Sequence, residues 1–126
     1  RWVHRPFADQ ARHARRNDPA TREGWVFAEL TRLIRLRKDQ PALWNGEMEV
    51  VDSHNPHIFS FVRNHGGQRL LIVTNFSEHP QYMDANQLRV YGPGYRFTDL
   101  ITGKEYRADY ALQLAAYQAM WLTATG

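Results

Sequence analysis

The chain of 126 residues carries 16 Lys/Arg against 13 Asp/Glu, a formal net charge of +3, no cysteine and 13% aromatic residues. That length suits one domain with a real core, and the absence of cysteine excludes disulfides, a thiol nucleophile and thiolate metal sites. It agrees with a reducing compartment, so a cytoplasmic protein held together by packing is the expectation.

No apolar run is long enough to span a bilayer and no charged-then-apolar leader is present, so neither a membrane partner nor a signal peptide is predicted in this stretch. The opening on Arg1 inside an Arg-Trp-Val-His-Arg-Pro string predicts a piece of a longer polypeptide, whose export stays open. The charge is unevenly spread. Residues 1–41 hold ten Lys/Arg against five Asp/Glu, whereas residues 42–126 hold six against eight. The shift coincides with Gln40-Pro41 and predicts a boundary there between two structural units, 1–41 and 42–126.

Residues 1–17 show no sustained period and read as a loop with one helical turn around residues 8–15. Such a basic, irregular segment needs another surface to lie on. Asp18-Pro19 is a helix start, with Asp18 able to cap the first amides and Pro19 fitting the first turn; Thr21 is a rival cap. Trp25, Val26, Leu30, Leu33 and Ile34, with Phe27 beside them, then recur at three and four and predict one buried helical face ending before Pro41. Arg32, Arg35, Arg37 and Lys38 crowd the last turns, where positive charge suits the carbonyl end of a helix. With no reading motif or stacking platform beside them, that explanation is preferred to a nucleic-acid surface, and no nucleic-acid partner is expected.

After Asn45-Gly46, short strands are predicted over residues 48–52, 58–63, 69–76, 81–83, 95–99, 104–106 and 120–123, with turn signals at Asn55-Pro56, Gly66-Gly67, Gly92-Pro93-Gly94 and Thr102-Gly103. This spacing predicts a mainly β fold, an antiparallel sandwich. Leu70, Leu71, Ile72 and Val73 stand side by side, so their strand is expected to be central, buried on both faces and flanked by hairpin-joined partners.

Candidate chemistry is sparse. His54 and His57 lie three apart in a proline-containing turn without a third ligand at a telling spacing, so a hairpin tip is preferred to a zinc site. No nucleophile elbow, phosphate-binding glycine loop or helix-borne histidine pair is present, and no catalytic residue, metal or cofactor is assigned. The tryptophans could stack on sugar rings. Trp25 and Trp121 fall on predicted buried faces and read as core, while Trp2 and Trp44 are unsettled. Arg1 and Arg5 beside Trp2 and His4 form a loop dense in hydrogen-bonding groups, either functional or simply solvated.

At Arg1-Trp2-Val3-His4-Arg5-Pro6, Arg16-Asn17-Asp18-Pro19, Asn75-Phe76-Ser77-Glu78 and Met120-Trp121-Leu122 the chain resembles the C-terminal end of amylosucrases and the closely related sucrose hydrolases, in the α-amylase superfamily. The likeness runs in order over essentially the whole chain. Asn-Phe-Ser after an apolar strand is common across the superfamily's C-terminal domains, whereas the first two motifs point to its sucrose-active branch. The resemblance implies that residues 1–41 are the last loop and eighth helix of a (β/α)8 catalytic barrel, the helix covering residues 19–39, and that residues 42–126 are the appended β-sandwich. It implies a retaining enzyme that cleaves sucrose, releases fructose and passes glucosyl units to an α-glucan, or to water in a hydrolase. The catalytic carboxylates would lie on earlier barrel strands outside this chain, leaving it inactive alone. A non-catalytic module that braces the barrel or binds glucan is the alternative. Arg1 resembles the arginine that pairs with a carboxylate at the floor of the glucosyl pocket, and His4 and Arg5 border the same substrate-binding loop. At Ala115-Ala116-Tyr117 the chain departs from the family, where a proline commonly precedes the tyrosine.

Overall fold

The computed structural model describes residues 8–125. Two compact units divide between Arg35 and Leu36.

In the first unit, a one-turn helix α1 (Gln10–Ala14) starts where the Asp9 carboxylate accepts from the amides of Ala11 and Arg12, and runs into a 3₁₀ turn, Arg15–Asn17. The long helix α2 spans Arg22–Lys38, so it begins later than the Asp18-Pro19 signal suggests. Asp18 instead caps a turn, accepting from the amide of Ala20 at 3.0 Å. Thr21 takes the helix cap, its Oγ1 accepting from the amide of Gly24 at 3.0 Å, the third helical residue. The apolar stripe on α2 is present, but its face is uncovered: Trp25 is 61% exposed, Leu30 55% and Ile34 53%. Periodicity reports which face avoids water, not whether the covering partner belongs to the same chain. Reading Trp25 as core is therefore corrected for this chain.

The second unit is mainly antiparallel sheet, as the strand spacing predicts. Seven predicted strands are found: β1 (Glu47–Val51), β2 (Ile58–His65), β3 (Gln68–Asn75), β4 (Gln81–Met83), β5 (Arg96–Asp99), β6 (Glu105–Arg107) and, last in the chain, β8 (Ala119–Ala124). Three further elements carry too few residues to announce themselves: α3 (Pro41–Asn45), α4 (Ala85–Tyr91) and β7 (Leu112–Leu114). Pro41 opens α3 at the position where its missing amide proton costs nothing.

Six strands form one sheet in the order β1-β2-β3-β8-β5-β6, and β4 pairs with β7 in a second, two-stranded sheet. Leu71 and Val73 of β3 point into the larger core with Val62, Met120 and Leu122, closed from the other side by Met83, Leu112 and Leu114 of the small sheet and Leu88 of α4. Leu70 and Ile72 point to the opposite face, packing with Ala42 and Leu43 of α3 and with the half-buried Trp121. The strand is thus buried on both faces, each fully buried side chain contributing about 1.5–3 kcal/mol. Its neighbours differ from expectation in one respect. β2 is joined by the Gly66-Gly67 hairpin, both glycines at positive φ, but the other neighbour is β8, more than forty residues on. The chain after β3 leaves for the small sheet because Asn75 turns it there.

Candidate functional site

Of the predicted substrate-binding residues, Arg1, His4 and Arg5 lie outside the described residues, as does Trp2. What the structure shows is how the segment that follows them is held. Arg15 reaches from the 3₁₀ turn to helix α2, its Nε and Nη2 donating to Glu23 Oε1 at 3.2 and 2.9 Å. Glu23 sits in the first turn of α2, where a negative charge also suits the exposed amides. The Arg15 hydrogen bond chiefly lowers the Glu23 pKa, and the same bond raises that of Arg15. Thr21 Oγ1 lies 3.0 Å from the Arg15 carbonyl oxygen and 2.7 Å from that of Asp18. The segment thereby closes onto the helix start, and Gly24, without a side chain, allows the close approach of the Asp18 backbone.

Arg12, His13, Arg16 and Arg22 rim an open groove floored by the exposed Val26, Phe27 and Leu30 of α2. Arg16 is partly committed, its Nη1 donating to the His13 carbonyl at 2.8 Å and standing 3.0 Å from His13 Nδ1. The sequence motif Arg16-Asn17-Asp18-Pro19 thus encodes a turn. The Arg15–Glu23 clamp beside it escaped sequence reading because a spacing of eight across a helix break has no period to detect.

In the second unit the family-like motif Asn75-Phe76-Ser77 proves to be a fold device. Asn75 is 1% exposed. Its Nδ2 donates to the carbonyls of His79 at 2.8 Å and Ala115 at 3.0 Å. Its Oδ1 accepts from the Ser77 amide at 2.9 Å. One amide side chain thereby ends β3, shapes the following turn and ties it to the chain after β7. Asp99 plays a similar part: wholly buried, its carboxylate accepts from the amides of Ile101 and Trp121 and from the Thr102 hydroxyl. Burial chiefly, and then the Asp99 charge, raises the Tyr106 pKa.

His54 and His57 sit in the β1–β2 connection, His54 at positive φ with its Nε2 3.6 Å from Asp52 Oδ2. Among the described residues, no three His, Asp or Glu side chains are grouped to hold a metal, and no helix is long and apolar enough to cross a membrane. The Ala115-Ala116-Tyr117 departure leaves its turn intact: the Gln118 amide donates to the Ala115 carbonyl at 3.0 Å, with Tyr117 at φ 57°.

Curated relatives align with this chain over short parts of their length. An oligo-1,6-glucosidase of Bacillus cereus is 35% identical over 52 residues, 41% of this chain and 9% of that protein. The trehalose-6-phosphate hydrolase of Bacillus subtilis (strain 168) is 27% identical over 113 residues, 88% of this chain and 17% of that protein. The chain therefore spans under a fifth of the length of either. Among solved structures, AmyP in complex with maltose superposes with a TM-score of 0.68 at 20% identity, covering 82% of this chain and 21% of that one. The trehalulose synthase MutB of Pseudomonas mesoacidophila MX-45 gives 0.65 at 21% identity, covering 88% and 19%. These superpositions establish the fold. The model of the amylosucrase C-terminal domain matches residues 49–123, most of the sheet unit, and the chain belongs to that family.

Proposed function

We propose that this chain is the C-terminal part of a retaining, sucrose-cleaving glucosyltransferase of the α-amylase superfamily. The observation that carries the reading is the amylosucrase C-terminal match over residues 49–123, joined to the Arg1-to-Pro6 and Arg16-to-Pro19 strings at the other end of the chain. A MutB variant has been solved with its substrate sucrose, which supports the same substrate class here. In this reading residues 1–41 are the last loop and helix of a catalytic barrel and residues 42–126 its appended β-sandwich. The bare apolar stripe of α2 supports that division, since it needs a large apolar surface such as the rest of a barrel.

The chemistry would fall to two carboxylates on the barrel about 5–5.5 Å apart, one forming and the other helping resolve a glucosyl-enzyme intermediate. Passage of the glucosyl unit to an α-glucan makes the enzyme an amylosucrase; passage to water makes it a sucrose hydrolase. We adopt the first reading, and the acceptor subsites that decide between the two would lie on other barrel loops. Taken alone, this chain braces that barrel and has no turnover.

Arg1 in this reading pairs with a carboxylate at the floor of the glucosyl pocket, with His4 and Arg5 at its border. A guanidinium grips a carboxylate through two parallel hydrogen bonds, which an ammonium cannot reproduce. The test is kcat/KM for sucrose in the intact enzyme. Arg1→Ala should reduce it steeply, by the equivalent of about 3–5 kcal/mol where the abandoned carboxylate is deeply buried. Arg1→Lys should recover part of that loss. Near wild-type kinetics in Arg1→Ala, with an unchanged thermal midpoint, would remove Arg1 from the pocket.

A further inference from the structure

Two shallow grooves flank Tyr106 on the edge strand β6, and both are lined by Tyr106 and Ala111. On one side stand Lys104, Gln113 and Gln118; on the other the 69% exposed Tyr110. The floor is firm. Tyr106 packs against the main core, and Gln113 projects outward from β7 between the buried Leu112 and Leu114.

On the Tyr110 side Glu105 and Arg107 also line the groove but are committed to Arg96 at 3.5 Å and Asp109 at 3.2 Å. The polar groups on the Gln113 side are left open by the protein. Gln118 spends its Oε1 on the Ala115 amide at 2.8 Å and keeps its amide donors free. The side chains of Lys104, Tyr106 and Gln113 make no hydrogen bond among the described residues. On the Gln113 side no carboxylate lines the groove. Amide groups that both donate and accept, beside tyrosine rings with apolar faces and polar edges, match a ligand that is neutral, hydroxyl-rich and flat on one face.

We propose that this surface is a carbohydrate-binding site for a short α-glucan segment, which rests across Tyr106 and Tyr110 and hydrogen-bonds to Gln113 and Gln118. The choice of α-glucan rests on the function proposed above. The site itself lies wholly within the sheet unit, and its occupancy can be read without any sucrose cleavage.

The experiment titrates maltoheptaose into the 126-residue chain, following amide chemical shifts, and compares migration in native gels with and without glycogen. Shifts should concentrate at Tyr106, Ala111, Gln113 and Gln118, and glycogen should retard the chain. Tyr110→Ala and Gln113→Ala, both at exposed positions, should each weaken binding roughly three- to tenfold. Phe59→Ala, on strand β2, should bind as wild type. Absence of saturable shifts, shifts centred elsewhere, or unchanged affinity in both groove variants would overturn the proposal. Any of these would leave sucrose cleavage by the intact enzyme unaffected, so the two readings fail separately.

Discussion

Gly24 and Asp18 approach so closely that a β-carbon on Gly24 would overlap the Asp18 carbonyl group. Glycine inside a helix ordinarily costs about 0.5–1 kcal/mol relative to alanine. Here the sign should reverse, because the obstacle is backbone and cannot rotate away. Gly24→Ala is expected to push the segment before α2 off the helix, exposing the Thr21 and Gly24 amides to exchange, while the melting of the sheet unit stays unchanged. Exchange of these amides at the wild-type rate would show that the segment tolerates the extra carbon.

The Arg15–Glu23 pair gives that anchoring a pH dependence. Arg15 holds the folded Glu23 pKa below its ordinary 4.5, so the pair's contribution is fully present above that value and is lost as pH falls through the folded pKa. Protection of the Gly24 amide should therefore decline as pH falls below that ordinary value. Glu29, paired with Arg32, shifts in the same direction, so the decisive comparison is with Glu23→Gln. That variant should start less protected and flatten the dependence, and an unaltered pH profile would assign the effect to other carboxylates.

Asn75 should matter to the fold far more than its single polar side chain suggests. Asn75→Ala takes one of two donors from the His79 and Ala115 carbonyls, which keep the Ser77 hydroxyl and the Gln118 amide. It leaves the Ser77 amide without its acceptor, a loss of about 1–3 kcal/mol for that one unsatisfied group. Asn75→Asp should be no better, since it turns a carboxylate toward the carbonyls of His79 and Ala115. A denaturant midpoint within error of wild type for either variant would contradict this role.

At the turn where proline is absent, Ala116 occupies the position before Tyr117, whose φ of 57° marks the turn's second central residue. A proline fits the first central residue of such a turn, and Ala116 spends no amide proton in the described hydrogen bonds. Ala116→Pro should raise stability by about 0.4–1 kcal/mol by restricting the unfolded chain. A lowered thermal midpoint would mean that the Ala116 backbone is incompatible with the ring.

The sheet was readable because its signals are local: four adjacent apolar residues for β3, and Gly66-Gly67 for its hairpin. What escaped reading depends on distant partners. β7 is three residues long and is a strand only because β4 lies beside it, and β8 joins β3 across more than forty residues without a turn to announce it. Trp25 was read as core because periodicity marks the face that avoids water, and among the described residues that face is exposed. Asn75-Phe76-Ser77 was legible as a family mark while its reason, a carbonyl near residue 115, was not. The Tyr106 groove assembles residues from three separate stretches, which no spacing rule connects.

Sucrose supplied to the intact protein and, separately, to the 126-residue chain asks most directly whether this chain completes a sucrose-cleaving glucosyltransferase. The intact protein should release fructose in clear excess over free glucose when an α-glucan acceptor is present, the difference appearing as lengthened glucan, while the chain alone releases none. Equal fructose and glucose would make it a hydrolase. Sucrose left untouched by the intact, folded protein, or fructose released in proportion to the isolated chain, would contradict the account.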